Sequence, residues 1–220
     1  YAASQKSNAM GPAVVDPRSG EIIESDIIWW HNVMTSLHSW MRIQTGPIDP
    51  KARDNKFSDS HMGEAIRFVS SHEVGHTFGL KHNMGSSFAY DVESLRSKDF
   101  TEKMGGTAPS IMDYARYNYV AQPEDNVSAI TPKIGEYDKY AIEWGYRWYP
   151  SSEEEKVKSN ALLTKNQDNP IYFYGEQQDA IIDPRSQSED LGNDAMKAGE
   201  YGLKNLKRVV NNILNWTYEK

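Results

Sequence analysis

One string of eleven residues limits what this chain can be. His72-Glu73-Val74-Gly75-His76-Thr77-Phe78-Gly79-Leu80-Lys81-His82 holds three of the six histidines. His72 and His76 are four apart, so on a helix both imidazoles leave one face about a turn apart, within reach of a shared metal ion. Gly79 is placed to stop that helix, because glycine enters the left-handed region without steric cost. Three residues later the turned chain returns His82 as a third nitrogen ligand. Three neutral imidazoles suit a single Zn²⁺ and leave a fourth, tetrahedral position for water, whose pKa zinc brings to about 7. Glu73 follows the first histidine and is rotated about 100° around the helix. It therefore stands beside the metal without ligating it, where a carboxylate acts as general base and then general acid.

The rest of the chain supplies elements to hold this string. Ala13-Val14-Val15 and Glu21-Ile22-Ile23 flank Asp16-Pro17-Arg18-Ser19-Gly20 and predict a hairpin, its second strand running from Glu21 to Ile28. Val33, Met34, Leu37, Trp40 and Met41 have helical spacing. Residues 46–59 read as a loop. A second helix starts at Asp59 or Ser60 and carries Met62, Ala65, Ile66 and Val69 as one stripe up to the histidines. Residues 83–109 read as irregular. A helix fits Tyr137, Tyr140, Ala141 and Trp144, and Ser152 with Glu155 is a capping-box signature for another, to about Lys165. Ile171–Tyr174 reads as a strand, and residues 194–217 as a strongly amphipathic helix. Trp29, Trp30, Trp40, Trp144 and Trp148 are expected in the core. His31, His38 and His61 stand apart from the string and read as surface or internally satisfied groups.

Composition removes several alternatives. With 31 acidic against 24 basic residues and no basic cluster, binding to nucleic acid through phosphate contacts is excluded. No apolar run approaches the ~20 residues of a membrane span. The absence of cysteine excludes a thiolate nucleophile, a cysteine-bound zinc and a disulfide scaffold. The chain opens Tyr1-Ala2-Ala3-Ser4, and the expectation is a piece of a longer parent with further domains.

The zinc string resembles the His-Glu-x-x-His-x-x-Gly-x-x-His signature of the metzincin clan of zinc metallopeptidases. That clan also has a tight turn whose methionine lies under the ligands. Ser110-Ile111-Met112-Asp113-Tyr114 fits it, and the resemblance implies that Met112 is the Met-turn residue. In astacin-like and serralysin-like members a tyrosine two residues further on reaches the zinc. Tyr114 holds that offset, which implies a phenol donating to the oxyanion. Asp113 and Asn83 depart from the astacin pattern. The wider wording is similar to a little-characterised family of large secreted bacterial zinc-dependent peptidases, through Gly11–Arg18, His82-Asn83, Ile134–Asp138 and Asp183–Gly192.

These readings combine into an α+β fold. Residues 1–150 form a metzincin-like catalytic domain with a partial sheet edged by the hairpin, a zinc-binding helix, a Met-turn and a C-terminal helix. Residues 151–220 form a mainly helical extension. The expected ligands of one catalytic Zn²⁺ are His72, His76 and His82, with Glu73 and Tyr114 catalytic. Ile22 and Ile23 are the candidate substrate-binding positions, since the clan lays peptide substrates along an edge strand. The expected activity is zinc-dependent endopeptidase on peptide or protein substrates, and the resemblance implies a secreted, periplasmic or cell-surface location. The alternative is a non-catalytic module that keeps zinc for stability.

Overall fold

A computed structural model describes residues 4–178 and 182–218. The hairpin forms as the sequence predicts. Strand β2 (Ala13–Val15) pairs antiparallel with β3 (Ile22–Ser25). In the turn the Asp16 carboxylate accepts from the Arg18 N–H, and Gly20 sits at φ +78°. The single second strand expected over Glu21–Ile28 is not seen. β3 stops at Ser25, and a separate β4 (Ile28–Trp29) pairs with β1 (Ala9–Met10). The partner changes because Gly11-Pro12 lies between β1 and β2, and proline has no N–H to continue a ladder.

Helix α1 (Val33–Thr45) buries Val33, Leu37, Met41 and Thr45, four apart throughout. Helix α2 (Asp59–Thr77) carries the first two histidines. Its cap is Ser58, one residue before the expected Asp59 or Ser60. The Ser58 backbone is extended and its hydroxyl accepts from the His61 N–H at 3.3 Å. Ala65 and Phe68 of α2 pack with Leu37 and Met41 of α1, and Ile111, Met112 and Tyr117 complete this core, with Met62, Ile66 and Val69 at its margin. Gly79, at φ +81°, ends α2 as expected. Its N–H donates to the His76 carbonyl and the Leu80 N–H to the Gly75 carbonyl, the paired bonds of a Schellman turn.

The stretch expected to be irregular over 83–109 contains α3 (Lys98–Met104), capped by Ser97 and stopped by Gly105 in the left-handed region. Seven residues are too few for a helical period to show in the sequence. α4 (Glu136–Tyr146) and α5 (Ser152–Asn166) follow the sequence reading, except that Ser151, not Ser152, caps α5. Of the five tryptophans assigned to the core, Trp40 packs half-buried against it, Trp29 and Trp30 are half-buried, and Trp144 and Trp148 are exposed.

Ile171–Tyr174 is not a strand. Pro170 opens a short 3₁₀ turn, with the Asn169 side chain accepting from the Ile171 N–H. Beyond it the backbone is tied to the segment after the third histidine. Asn83 Nδ2 donates to the Phe173 carbonyl at 3.0 Å, while its Oδ1 accepts from the Gly175 N–H at 2.9 Å. Asn83 thus satisfies with one amide the backbone groups a neighbouring strand would have paired.

α6 (Ala195–Thr217) is amphipathic, but its apolar stripe does not carry its packing. Leu203, Leu206, Val210 and Leu214 are exposed, whereas Ala198, Asn205 and Val209 are buried. Asn205 Nδ2 donates to the carbonyls of Tyr119 and Ala121, so the buried face is chosen by backbone acceptors in the loop it covers. No helix among the described residues is long and apolar enough to cross a membrane.

Candidate metal centre

The last turns of α2 and the Schellman turn bring His72, His76 and His82 together. Their Nε2 atoms lie 3.1, 3.2 and 3.2 Å apart. Nitrogens about 2.05 Å from a tetrahedral zinc would be about 3.3 Å from one another, so the spacing fits that ion. The other ring nitrogens support the same reading. His72 Nδ1 faces the Ile111 carbonyl, His76 Nδ1 the Leu80 carbonyl, and His82 Nδ1 the Gln177 Oε1, at 2.8, 2.8 and 2.6 Å. Each acceptor requires Nδ1 to carry the proton, leaving an Nε2 lone pair. Three convergent lone pairs repel unless a cation lies between them. Burial holds His72 down at about 3 and also lowers His82, keeping both imidazoles neutral ligands.

Met112 lies directly beneath. A Cβ on Gly75 would meet its sulfur at 2.3 Å, so the absent side chain in the middle of the zinc string is the space Met112 occupies. The turn is braced by the start of α4. Buried Asp138 accepts from Ser110 Oγ, the Ile111 N–H and the Gly135 N–H at 2.6, 2.8 and 2.7 Å. The Tyr114 ring leans on the ligands, with its centroid 4.7 Å from His82 and 5.4 Å from His72. Glu73 is buried beside the cluster and outside it. Burial raises its carboxyl to about 7, with a hydrogen bond from the Gly11 N–H pulling the other way. A cavity of about 130 Å³ opens here, lined by Glu73, Tyr114 and His72 together with Val33, Trp40, Phe68 and Val69.

A family model described as Met-zincin matches residues 54–220, more than half of the chain. The chain belongs to the Met-zincin family. No curated protein and no solved structure matches it.

A Met-zincin has the fold of a zinc metallopeptidase, and the three-histidine cluster is consistent with the metal site of such a fold. Zinc is the ion that both point to. Of the other expected positions, Ile22 packs against Gly79 at the end of α2, while Ile23 points to solvent. His31, His38 and His61 stay outside the cluster; His38 Nε2 contacts the Asp54 carbonyl and His61 lies 3.7 Å from Asp49.

Four residues around this Met-zincin centre were given no role by sequence reasoning, although Gly11 and Asp138 lie in stretches that carry the family resemblance. Gly11 has to be glycine, since a Cβ would come within 2.6 Å of the Glu73 carbonyl oxygen. Asp138 carried a signal, an acid at the third position of a predicted helix. Gln177 and Arg116 carried none, because their partners are distant in sequence.

Two expectations arise here. Gln177 is exposed, so Gln177→Ala should fold normally yet bind zinc about 10–100-fold more weakly, as measured by competition with a chromophoric chelator. Glu73 has a folded pKa above its ordinary 4.5, so the stability it confers is full below about 4.5 and lost as pH rises through about 7. Metal-free Glu73→Gln should therefore melt higher than the metal-free parent at about pH 8, and the gap should close by about pH 5.

Proposed function

We propose that this protein is a zinc-dependent endopeptidase. The observation that carries the reading is the position of Glu73, a buried carboxylate that flanks the three-histidine cluster without joining it and opens onto a cavity. A site that held zinc only for rigidity would gain nothing from a buried acid at that place. Zinc bound by His72, His76 and His82 supplies a Lewis acid that polarises a carbonyl and acidifies water.

The chain's own groups account for the proton transfers. Glu73, ionised, takes the proton from the attacking water. It then returns that proton to the amine nitrogen as the peptide bond breaks. Burial raises the Tyr114 phenol, so it stays protonated at neutral pH and serves as a donor to the charge developing on the scissile carbonyl oxygen. The substrate backbone is taken along β3, whose second edge is unpaired among the described residues. Strand addition there gives main-chain hydrogen bonds whatever the substrate sequence, with Ile22 and Ile23 as the flanking side chains.

The test is a diverse peptide mixture incubated with zinc-loaded protein and with chelator-stripped protein, products being read by mass spectrometry. Internal cleavage by the loaded form, lost on stripping and regained on adding zinc, is expected. Zinc bound with high affinity and a chelator-induced fall in melting temperature, but no new peptide termini, would instead establish a non-catalytic zinc-stabilised module.

A further inference from the structure

The Tyr114 ring also carries a cation over its face. The Arg116 guanidinium lies 4.5 Å from the Tyr114 ring centroid and 4.4 Å from that of Trp40, so it is sandwiched between the two rings. Glu189 holds the same guanidinium through two bonds, accepting from Nε at 2.7 Å and from Nη2 at 2.5 Å. Arg116 and Glu189 both have left-handed backbones, at φ +61° and +71°. A non-glycine residue rarely adopts that conformation, at a cost on the order of 1 kcal/mol or more. Two such residues joined by a bidentate ion pair mark a geometry the surrounding structure enforces. The Arg116 side chain is largely buried, while that of Glu189 is about half exposed, at 52%. Thr107 Oγ1 donates to the Arg116 carbonyl at 2.9 Å and fixes the backbone from the other side.

We propose that Arg116, clamped by Glu189, is a positioning residue that holds the Tyr114 ring against the ligand histidines. The catalytic consequence rests on the oxyanion role given to Tyr114 above; the positional claim does not. A ring in a cavity wall keeps one rotamer only as far as its neighbours pack against it, and a cation stacked over its face adds to that packing. A planar cation is suited to that place, attracted to both ring faces while its Nε–Nη2 edge is held by the carboxylate. Glu189 takes the Nε–Nη2 edge of the guanidinium and so fixes the plane of the cation against the two rings. The segment carrying Glu189 thereby reaches across more than seventy residues to set the shape of the active site.

The variants are made in the full chain at half-exposed Glu189, and the thermal unfolding of each is measured to check that it folds. In protein labelled with ¹³C-tyrosine, the ring signal of Tyr114 is assigned by its loss in Tyr114→Phe. In metal-free protein, Glu189→Gln should shift or broaden that signal, and Glu189→Asp should partly restore it; an unchanged signal in Glu189→Gln overturns the proposal. In zinc-loaded protein, Glu189→Gln should lower kcat about tenfold with KM within about twofold, misplacement of a reacting group being costly in kcat. In a Tyr114→Phe background the same substitution should change kcat by less than about twofold. Losses that multiply independently would mean that Arg116 does not act through Tyr114. If Tyr114→Phe alone leaves kcat intact, the oxyanion role fails, and the tyrosine signal still decides whether the clamp holds the ring.

Discussion

Glu73→Ala should bind zinc with unchanged stoichiometry and lose about 10²–10⁴-fold of turnover, the contribution of a positioned general base. The two halves of that expectation come from different parts of the structure. Zinc retention follows because each ligand imidazole is oriented by its own acceptor, Ile111, Leu80 or Gln177, and Glu73 orients none of them. The loss of turnover follows because, among the described residues, Glu73 is the one carboxylate lining the cavity beside His72. Removing a carboxyl held at about 7 also relieves a buried charge, so the variant should not be less stable than the parent above neutral pH. A variant that cleaves as fast as the parent would sink the general-base assignment. One that loses zinc would show that Glu73 shapes the metal site.

Asp138→Ala should cost about 3–5 kcal/mol of stability, read from denaturant unfolding of the metal-free chain. Three donors converge on this one buried carboxylate, and two of them are backbone N–H groups that cannot turn away. An alanine leaves all three without an acceptor, at about 1–3 kcal/mol each before relaxation. The neighbouring backbone has no slack, since Gly135 lies so close to Pro109 that a Cβ would fall 1.9 Å from its carbonyl oxygen. The damage should reach the metal, because the Ile111 carbonyl that orients His72 belongs to the same turn. Asp138→Asn keeps one acceptor oxygen and should lose less. A cost below about 1 kcal/mol for Asp138→Ala would show that α4 does not brace the turn at Met112.

The centre was largely legible in the sequence because its ligands are local. His72, Glu73 and His76 are related by helical geometry alone, and Gly79 with His82 by a single turn. Met112 and Tyr114 were reachable only through resemblance, for nothing in their own segment says that Gly75 leaves a notch for a sulfur. Helices with long apolar periods, α1, α2, α4 and α6, were found; α3 was too short to show one. The strand expected at Ile171–Tyr174 failed because β-branched and aromatic composition reports half-burial rather than a ladder, and here an asparagine amide supplied the pairing. Gln177, Glu189 and Arg116 were invisible because a pair of polar residues seventy or ninety positions apart leaves no periodic trace.

That long-range support has a consequence for how the metal site is completed during folding. The three ligands lie within eleven residues and come together as soon as α2 and its terminal turn form. The acceptor for His82 does not arrive until the chain has closed a loop of 95 residues to Gln177, and the Asn83 bonds to Phe173 and Gly175 close loops of 90 and 92. Loop closure on that scale is slow and comes late. A nascent or partly refolded chain should therefore capture zinc early but hold it loosely, and the dissociation rate should drop in a distinct later step. Zinc off-rate, rather than zinc content, is then the measure of whether a given molecule has finished folding.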